Sequence, residues 1–327
     1  MMKACCVSPF WSIEVDEEGN VTCCCPDWTD NYFFGNIYEH SYEEIWNGEK
    51  IQEFRRQILN NEYPHCNTEM CTGLDERVFR VPGCDDFEPA IVCKPPRFVT
   101  LSVEYHCNCV CFMCRSCHSF SDDDLTELLI SKIDKVFLPM VKNAEIVNVN
   151  GAGEVFCSKF YKAFIRKAVE ANKEIKFDIY TNGLLCTPKK IEEFGLAGRM
   201  NVITVSLHAA TKETYNSIVK YSSFDTVIRN IKYLSGLKAK GKIYGLALTF
   251  VLSSKNYREL PDFIEFAKSV NAFANIWPMR LNHLDLEPYN IVDKNHPEHE
   301  KLLEVLKKCD FSQPHVRANN EIVHLVK

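Results

Sequence analysis

The chain has 327 residues, of which 46% are hydrophobic and 25% are charged, and its formal net charge is −6. This balance is that of an ordinary globular protein of about two domains, and it gives no support to nucleic-acid binding. No apolar run approaches the roughly 18 residues that cross a bilayer, and the first ten residues lack the apolar segment of a signal peptide, so we expect a cytoplasmic protein without membrane contact.

The cysteines are unevenly distributed along the chain. Fourteen of the seventeen precede residue 118, and only Cys157, Cys186 and Cys309 follow it. A chain of this length can bury a large core without disulfides, and a cytoplasmic protein seldom forms them. The cysteines therefore indicate metal ligation. They also divide the chain into a cysteine-rich front and a more regular α/β remainder.

A β-hairpin is the first element that the sequence predicts. Two short apolar runs, 11–15 and 21–23, flank a turn in which Gly19 and Asn20 supply positive φ. A hairpin brings its two ends together, so Cys6 and Cys24 are expected to converge. Their neighbours Cys5, Cys23 and Cys25 remain alternatives.

Two helices and a cysteine pair are predicted next. Ser41 and Glu44 form a capping box that starts the first helix, and the apolar residues of 51–59 share one face in the second. Cys66 and Cys71 follow, separated by four residues, a spacing that also suits zinc. Prolines between residues 89 and 96 mark a linker that ends this front near residue 95.

A dense group of cysteines follows the strand-like run 98–103. Five cysteines lie within residues 107–117, and among them the subset Cys107-x3-Cys111-x2-Cys114 offers three soft thiolate ligands. A four-iron four-sulfur cluster takes one protein ligand per iron when it is fully ligated. Three cysteines therefore leave one iron open, as a metal site does when it binds a substrate.

Other metal centres suit the same stretch. A structural zinc site would use Cys109, Cys111, Cys114 and Cys117. A ferredoxin-like cluster would use the run Cys111-x2-Cys114-x2-Cys117 and would only carry electrons. The spacing alone leaves both open, so the alternative function is that of a non-catalytic zinc or ferredoxin-like iron–sulfur binding protein.

The remainder of the chain alternates strand-like and helix-like segments. Candidate strands begin near residues 98, 145, 175, 202, 244 and 272, with amphipathic helices between them. The first of these helices carries Phe160, Phe164, Ala168 and Ala171 on one face. Repeated strand–helix units predict a parallel sheet, whose functional residues lie at the carboxyl ends of the strands. Cys107 follows the first strand, as this requires.

A Cys-x3-Cys-x2-Cys motif just after a first strand resembles the signature of the radical S-adenosylmethionine (SAM) superfamily. The resemblance implies an α/β fold, a partial (β/α)6 TIM-type barrel over residues 96–290, with Cys107, Cys111 and Cys114 holding a four-iron cluster whose open iron chelates SAM. In that family the reduced cluster cleaves SAM to a 5′-deoxyadenosyl radical, which abstracts a substrate hydrogen. Met113 stands where the family usually has an aromatic residue, at a position expected to contact the cofactor.

Two further segments resemble SAM-binding motifs of the same family. The loop Gly151-Ala152-Gly153-Glu154 after the second strand is similar to a Gly-Gly-Glu-Pro motif, whose backbone and carboxylate hold the methionine ammonium. Asn182 ends the third strand within a Tyr-Thr-Asn-Gly segment familiar from these enzymes. Ser206 ends the fourth strand and is expected near the ribose of SAM.

Two residues are candidates for the reaction with substrate. His208 follows the fourth strand where related sequences have an acid, and it is expected either to act as a substrate-binding or acid–base group or to be a packed histidine. Arg280 follows the sixth strand, where substrate binding and a surface or interdomain ion pair are both open.

The cysteine-rich front resembles the SPASM domain, or the shorter twitch domain, of many radical SAM enzymes. The resemblance consists of Cys6-x12-Gly19-x4-Cys24, Gly35-Asn36-Ile37, Glu44-Ile45-Trp46-Asn47 and a closing cysteine pair. It implies a small α+β domain, residues 1–95, in which Cys6, Cys24, Cys66 and Cys71 hold an auxiliary four-iron cluster. The domain normally follows the barrel, and only Cys309 lies after residue 280, so the domain order is interpreted as permuted.

The implied function is that of a radical SAM oxidoreductase of the SPASM or twitch type. An external electron donor such as flavodoxin or ferredoxin would reduce the SAM-binding cluster, and the auxiliary cluster would accept an electron from the substrate or position it. Because the cysteine-rich module fills the front of the chain, a small polar or carbohydrate substrate is favoured over a peptide. Residues 291–327 are expected to form a C-terminal helix and tail.

Overall fold

The structure, a computed structural model, describes residues 6–67, 71, 92, 94–114, 123–150, 153–280 and 284–326. The chain divides into two compact units. The first unit comprises Met1–Tyr105, Asp122–Ala152 and Lys159–Phe177. The second unit comprises His106–Ser121, Gly153–Ser158 and Asp178–Lys327. Among the described residues, no helix has the length and apolar character needed to span a membrane.

Strands and helices alternate through most of the described chain. The strands are, in chain order, β1 (Ser12–Val15), β2 (Asn20–Thr22), β3 (Gly35–Asn36), β4 (Phe98–Leu101), β5 (Val110–Cys111), β6 (Ile146–Val149), β7 (Lys176–Thr181), β8 (Met200–Ser206), β9 (Val219–Lys220), β10 (Gly245–Leu252), β11 (Phe273–Pro278) and β12 (Val316–Ala318). The helices are α1 (Ser8–Trp11), α2 (Tyr42–Trp46), α3 (Glu49–Leu59), α4 (Asp123–Lys132), α5 (Leu138–Val141), α6 (Lys159–Ala171), α7 (Pro188–Glu193), α8 (Lys212–Ile218), α9 (Phe224–Ala239), α10 (Leu260–Ser269), α11 (His299–Leu306) and α12 (Asn320–His324).

The first unit contains the predicted hairpin. Strands β1 and β2 pair antiparallel, and the turn between them has Gly19 at a φ of +82°. The Asp16 carboxylate accepts backbone N–H bonds from Glu18 at 3.0 Å and from Asn20 at 2.8 Å, so the turn supplies its own capping group. The hairpin prediction is confirmed, although Asn20 belongs to β2 and Gly19 alone provides the positive φ.

The hairpin is continuous with the parallel strands of the same unit. The strand order there is β3-β2-β1-β4-β6. Strand β1 pairs parallel with β4, placing Ser12 opposite Phe98, and β4 pairs parallel with β6, placing Phe98 opposite Ile146. Alternate residues along β1, β4 and β6 are buried, as strands covered on one face require.

The helices of the first unit bury one apolar face each. Phe160, Phe164 and Ala168 on α6 are fully buried, and the ring of Phe160 lies 5.2 Å from that of Phe137. Ala171, predicted for the same face, is exposed because α6 ends at that residue. The Ser41–Glu44 capping box is confirmed at the start of α2, where the two residues exchange side-chain-to-backbone hydrogen bonds.

The second unit contains the rest of the strand–helix series. Its strand order is β7-β8-β10-β11-β12, and the pairs β8–β10, β10–β11 and β11–β12 are all parallel. Buried side chains from β8, β10 and β11 include Ile203, Leu248 and Ile276, and helices α9 and α10 follow β8 and β10 along the chain. Every predicted strand start lies within two residues of the observed one.

Candidate metal centres and cofactor site

A short turn and a small ribbon shape the cysteine loop of the second unit. The backbone N–H of Cys114 donates to the carbonyl of Cys111 at 3.1 Å, so the Cys-x2-Cys segment is one β-turn. Cys111 ends β5, which pairs antiparallel with β9 so that Cys111 lies opposite Val219. The backbone of Phe112 continues the ribbon by donating to the carbonyl of Ile218 at 3.1 Å.

The thiols of this loop are close enough to affect one another. Burial raises the pKa of Cys107 to about 11, with a smaller contribution from the charge of Cys114. Burial likewise raises the pKa of Cys111, and the charges of Cys114, Cys109 and Cys107 add to the rise. Without metal, Cys107 and Cys111 therefore keep their protons at neutral pH, and cluster assembly has to displace them.

Glu154 is a fully enclosed carboxyl group next to this loop. Its side chain is 1% exposed, and its backbone N–H donates to the carbonyl of His106 at 2.7 Å. Oε1 accepts from the Thr181 hydroxyl at 2.7 Å and from the backbone N–H of Phe156 at 3.1 Å. Burial raises the pKa of Glu154, although these hydrogen bonds favour its charged form.

Asn182 links Glu154 to the first cysteine of the motif. Its backbone N–H donates to Glu154 Oε2 at 2.6 Å. Its side-chain Nδ2 donates to Asn108 Oδ1 at 2.9 Å and lies 3.9 Å from Cys107 Sγ. The residue after it, Gly183, has a φ of +79°, and an added Cβ would lie 2.8 Å from a Val205 methyl group, so only glycine fits there.

Three of the predicted residues therefore meet in one hydrogen-bonded network: Cys107, Glu154 and Asn182. Asn108 and Thr181 complete it, and the sequence analysis missed both, although each is the direct neighbour of a predicted residue. Gly153, Met113 and Ser206 are half-buried, and no hydrogen bond described for this part of the chain joins them to the network. Gly151 and Ala152 lie outside the described residues.

His208 is buried and held by backbone groups. Its Nδ1 accepts the backbone N–H of Val251 at 3.2 Å, and its own carbonyl accepts from Asn256 Nδ2 at 2.9 Å. Its φ of +61° lies in the left-handed region, which few residues other than glycine adopt. Burial lowers the pKa of His208 to about 4, so the ring is neutral at pH 7. These contacts favour the packed histidine of the two alternatives, and a catalytic role stays a prediction.

This burial predicts a pH-dependent stability. Because the folded-state pKa of His208 is lowered from 6.5 to about 4, the unfolded chain takes up the proton first and stability is lost as pH falls through this window. Between pH 7 and pH 5 we expect a loss of about 2 kcal/mol in the free energy of unfolding. Anaerobic urea unfolding measures it, with His208→Asn as the control, since Asn tolerates the positive φ and cannot titrate. Equal pH dependence of the two proteins would contradict the assignment.

Arg280 and Asn256 follow the ends of β11 and β10. Arg280 is half-buried, two residues beyond the end of β11. Asn256 is buried and uses its amide fully within the second unit: Nδ2 also donates to the carbonyl of Val251 at 2.8 Å, and Oδ1 accepts from the Ser253 backbone and hydroxyl. Asn256 therefore secures the loop after β10, whereas the role of Arg280 stays a prediction.

The front cysteines form a second group, in the first unit. Burial raises the pKa of Cys66 to about 12, and the charges of Cys24, Cys6 and Cys71 add to the rise. Burial also raises the pKa of Cys6, with contributions from the charges of Cys24 and Cys71. The four predicted ligands Cys6, Cys24, Cys66 and Cys71 thus lie near one another. Cys23 is buried beside them, Cys5 lies outside the described residues, and the choice of ligand within each group stays a prediction.

The motifs of this front that resemble the SPASM domain have identifiable contacts. An added Cβ at Gly35 would lie 3.0 Å from Ile45, so the glycine lets β3 approach α2. The indole N–H of Trp46 donates to the carbonyl of Lys94 at 2.9 Å. The amide of Asn47 exchanges two hydrogen bonds with the backbone of Val92, at 3.0 and 3.1 Å. These side chains therefore tie the end of the front segment to α2.

The chemistry and spacing of both cysteine groups fit iron–sulfur clusters. Within the described ranges, no three His, Cys, Asp or Glu side chains form a group that could hold one metal ion. A four-iron cluster distributes its protein ligands over four metal atoms, so its ligands stand farther apart than those of a single tetrahedral zinc. The three thiols of the Cys107 loop and the four front cysteines are donor sets of this kind.

Comparison with known proteins gives two family matches and a set of relatives. A model of the SPASM iron–sulfur cluster-binding domain matches residues 5–72, and a radical SAM superfamily model matches residues 106–267. A probable GTP 3′,8-cyclase of Sulfurisphaera tokodaii is 27% identical over 245 residues, covering 69% of this chain and 71% of the relative. A probable GTP 3′,8-cyclase of Saccharolobus islandicus is 24% identical over 250 residues, covering 72% of this chain and 75% of the relative.

A solved structure with a detectable likeness is that of Streptococcus suis SuiB bound to S-adenosylmethionine. It is 15% identical, with a TM-score of 0.44 over 68% of this chain. The match spans 50% of the length of SuiB.

The two family matches coincide with the two cysteine groups. The SPASM match contains Cys6, Cys24, Cys66 and Cys71, and it precedes the radical SAM match, so the N-terminal position of this domain is confirmed. The radical SAM match begins one residue before Cys107 and has the partial (β/α)6 barrel as its fold. The cofactors are accordingly two four-iron clusters and SAM. This chain belongs to the radical SAM superfamily and carries an N-terminal SPASM-type iron–sulfur cluster-binding domain.

Proposed function

We propose that this protein is a radical SAM oxidoreductase that removes a hydrogen atom from a small polar or carbohydrate substrate and completes a two-electron oxidation. Residues 1–95 would hold the auxiliary cluster, and residues 96–290 the SAM-binding cluster and SAM. Residues 291–327, expected to form one helix and a tail, contain α11, β12 and α12. An external donor such as flavodoxin or ferredoxin would supply the reducing electron.

One observation carries the proposal: the hydrogen-bonded link from Cys107 through Asn182 to Glu154. It joins a predicted cluster ligand to the carboxyl group expected to hold the methionine ammonium, through the side chain and the backbone N–H of Asn182, and the three residues follow different strands. When bound, the cluster with SAM supplies a 5′-deoxyadenosyl radical, and the auxiliary cluster supplies an acceptor for one electron. A structural thiol loop would have no need of a buried carboxyl group held beside it.

The hydrogen bonds of Glu154 suit the recognition of an ammonium group. Oε1 accepts from two donors, whereas the described residues give Oε2 a single donor, the backbone N–H of Asn182. A carboxylate oxygen accepts two hydrogen bonds, so Oε2 has capacity for a further donor such as an ammonium. An ammonium there would also lower the cost of burying the charged carboxylate.

The curated relatives support a small-molecule substrate. Both are named as probable GTP 3′,8-cyclases, enzymes whose name gives a nucleotide as the substrate, and they match about 70% of this chain. Their chemistry is a cyclisation, so the oxidative outcome proposed for this protein depends on the auxiliary cluster domain and not on these relatives.

Anaerobic reconstitution tests the proposal directly. The protein is expected to bind roughly eight irons per chain, four for each of two clusters, and to convert SAM to 5′-deoxyadenosine with dithionite. Deuterium transfer into 5′-deoxyadenosine from labelled sugars, nucleotides and peptides then identifies the substrate class. Zinc in place of iron, or iron without SAM cleavage, would favour the non-catalytic alternative.

Glu154→Gln is expected to weaken SAM binding about 10- to 100-fold, because a charge-assisted hydrogen bond to ammonium is worth about 1.5–3 kcal/mol. The substitution also turns one acceptor of Glu154 into a donor that faces N–H and O–H groups. Equilibrium dialysis with the reconstituted protein measures the dissociation constant, and the exposed Glu265→Gln on α10 is the control. Unchanged affinity with intact clusters would remove Glu154 from the SAM site.

A further inference from the structure

Arg55 is a buried cation in the cysteine-rich front. It lies on α3, and its side chain is 0% exposed. Burial lowers the pKa of Arg55 to about 10, so the guanidinium is still charged at neutral pH. Burying a charge costs free energy, and a protein retains such a group where its charge or its hydrogen bonds are needed. The side chain of the neighbouring Arg56 is 43% exposed and pairs with Glu53, as a surface arginine usually does.

The guanidinium is held in place by neutral groups. Its Nε donates to the carbonyl of Pro9 at 2.7 Å, and Nη1 donates to Asn47 Oδ1 at 3.2 Å. Its Cζ lies 4.5 Å from the centroid of the Trp46 ring and 5.9 Å from that of Phe10. Carbonyl, amide and aromatic groups therefore fix the orientation of the cation.

One of these contacts joins Arg55 to the chain segment of a proposed cluster ligand. Pro9 is three residues beyond Cys6, so the Nε hydrogen bond holds the segment that carries this cysteine. Arg55 also interacts electrostatically with Cys23, the residue before Cys24. Asn47, the other hydrogen-bond partner, belongs to the Glu44-Ile45-Trp46-Asn47 motif of the SPASM resemblance.

We propose that Arg55 is a positioning residue that anchors the Cys6 segment and stabilises the reduced state of the auxiliary cluster through its fixed positive charge. The inference rests on the proposed ligand set Cys6, Cys24, Cys66 and Cys71. Four thiolates give a four-iron cluster a net negative charge that increases on reduction, so a cation held nearby favours the reduced form. The reduction potential of the auxiliary cluster is therefore higher than it would be without Arg55.

A redox titration of the auxiliary cluster alone tests this. The parent is the reconstituted full chain with Cys107, Cys111 and Cys114 replaced by alanine, and the reduced fraction is followed by electron paramagnetic resonance. At the potential where the parent is half reduced, Arg55→Met is expected to lower the ratio of reduced to oxidised cluster at least about tenfold, which corresponds to 59 mV for one electron. Two controls are expected to change that ratio less than about threefold. Arg55→Lys keeps the charge, and Arg56→Met is the matched control on the same helix.

A second variant covers the case in which Arg55→Met fails to retain iron. Asn47→Asp keeps the arginine and places a carboxylate on its Nη1, so the cation is neutralised and the ratio is again expected to fall about tenfold. An unchanged potential in either variant with a full cluster, or an equal shift in Arg56→Met, overturns the role of Arg55. A parent protein that assembles no cluster refutes the ligand set itself, which is a failure of the proposed function and not of this inference.

Discussion

Replacing Cys107, Cys111 and Cys114 together by alanine is expected to abolish SAM cleavage and to leave about half of the iron. The three thiols occupy one loop, whose turn and ribbon fix Cys111 and Cys114 and whose Cys107 contacts Asn182. The auxiliary group lies in the other compact unit and uses its own cysteines. Iron analysis and chromatographic assay of 5′-deoxyadenosine with dithionite measure both effects.

Cys109→Ala is the matched control for this variant. Cys109 lies in the same loop and is 7% exposed, and its sulfur is 3.9 Å from the carbonyl of Tyr221. Burial raises the pKa of Cys109 to about 12, as it also raises those of Cys107 and Cys111, so only the Cys-x3-Cys-x2-Cys spacing separates Cys109 from the ligands. We expect this control to retain both clusters and SAM cleavage. Loss of a cluster on removal of Cys109 alone would instead support the zinc alternative, in which Cys109 is a ligand.

The strand–helix series could be predicted because it depends on local pattern. Apolar runs that begin near residues 98, 145 and 175 became β4, β6 and β7, each shifted by no more than one residue. Buried strands and the buried face of each helix are apolar, and this periodicity can be recognised in the sequence alone. The Gly19 turn and the Ser41 capping box were predictable for the same reason, since their groups are within four residues of each other.

Features that depend on distant partners could not be predicted. The β5–β9 ribbon joins Val110 to Lys220, and the parallel pairing of β1 with β4 joins residues more than eighty positions apart. Neither segment has a sequence signal that names its partner. The burial of His208 likewise follows from Val251 and Asn256, whose proximity only the fold creates.

In the candidate site, the identities of residues could be predicted from the sequence, whereas their contacts could not. Motif spacing identified Cys107, Glu154 and Asn182, because their chemistry is carried by residue type and by position after a strand. Their mutual contacts were not visible: Asn182 reaches Asn108 across 74 residues, and Thr181 reaches Glu154 across 27. Arg55 had no motif of its own, and only its burial beside the front cysteines drew attention to it.

Replacing Cys6, Cys24, Cys66 and Cys71 together by alanine is expected to preserve SAM cleavage but to suppress the oxidised product. SAM cleavage with dithionite should remain, because the Cys107 loop and Glu154 belong to the other compact unit. About half of the iron should be lost, and formation of oxidised product should fall at least about 100-fold, since the substrate radical then has no built-in electron acceptor. Product analysis by mass spectrometry, beside the 5′-deoxyadenosine assay, separates the two activities.

This outcome distinguishes an electron-accepting cluster from a purely structural one. A structural cluster would stabilise the first unit, and its removal would expose the buried hairpin and helix α3 to solvent exchange and lower SAM cleavage together with product formation. An electron-accepting cluster would leave the hydrogen-exchange protection of β1 and β4 largely intact while uncoupling cleavage from product. The Cys25→Ala variant, next in sequence to Cys24, is the control and should behave as wild type if Cys24 is the ligand. Product formation at the wild-type rate by the four-alanine variant would contradict any redox role of the front cysteines.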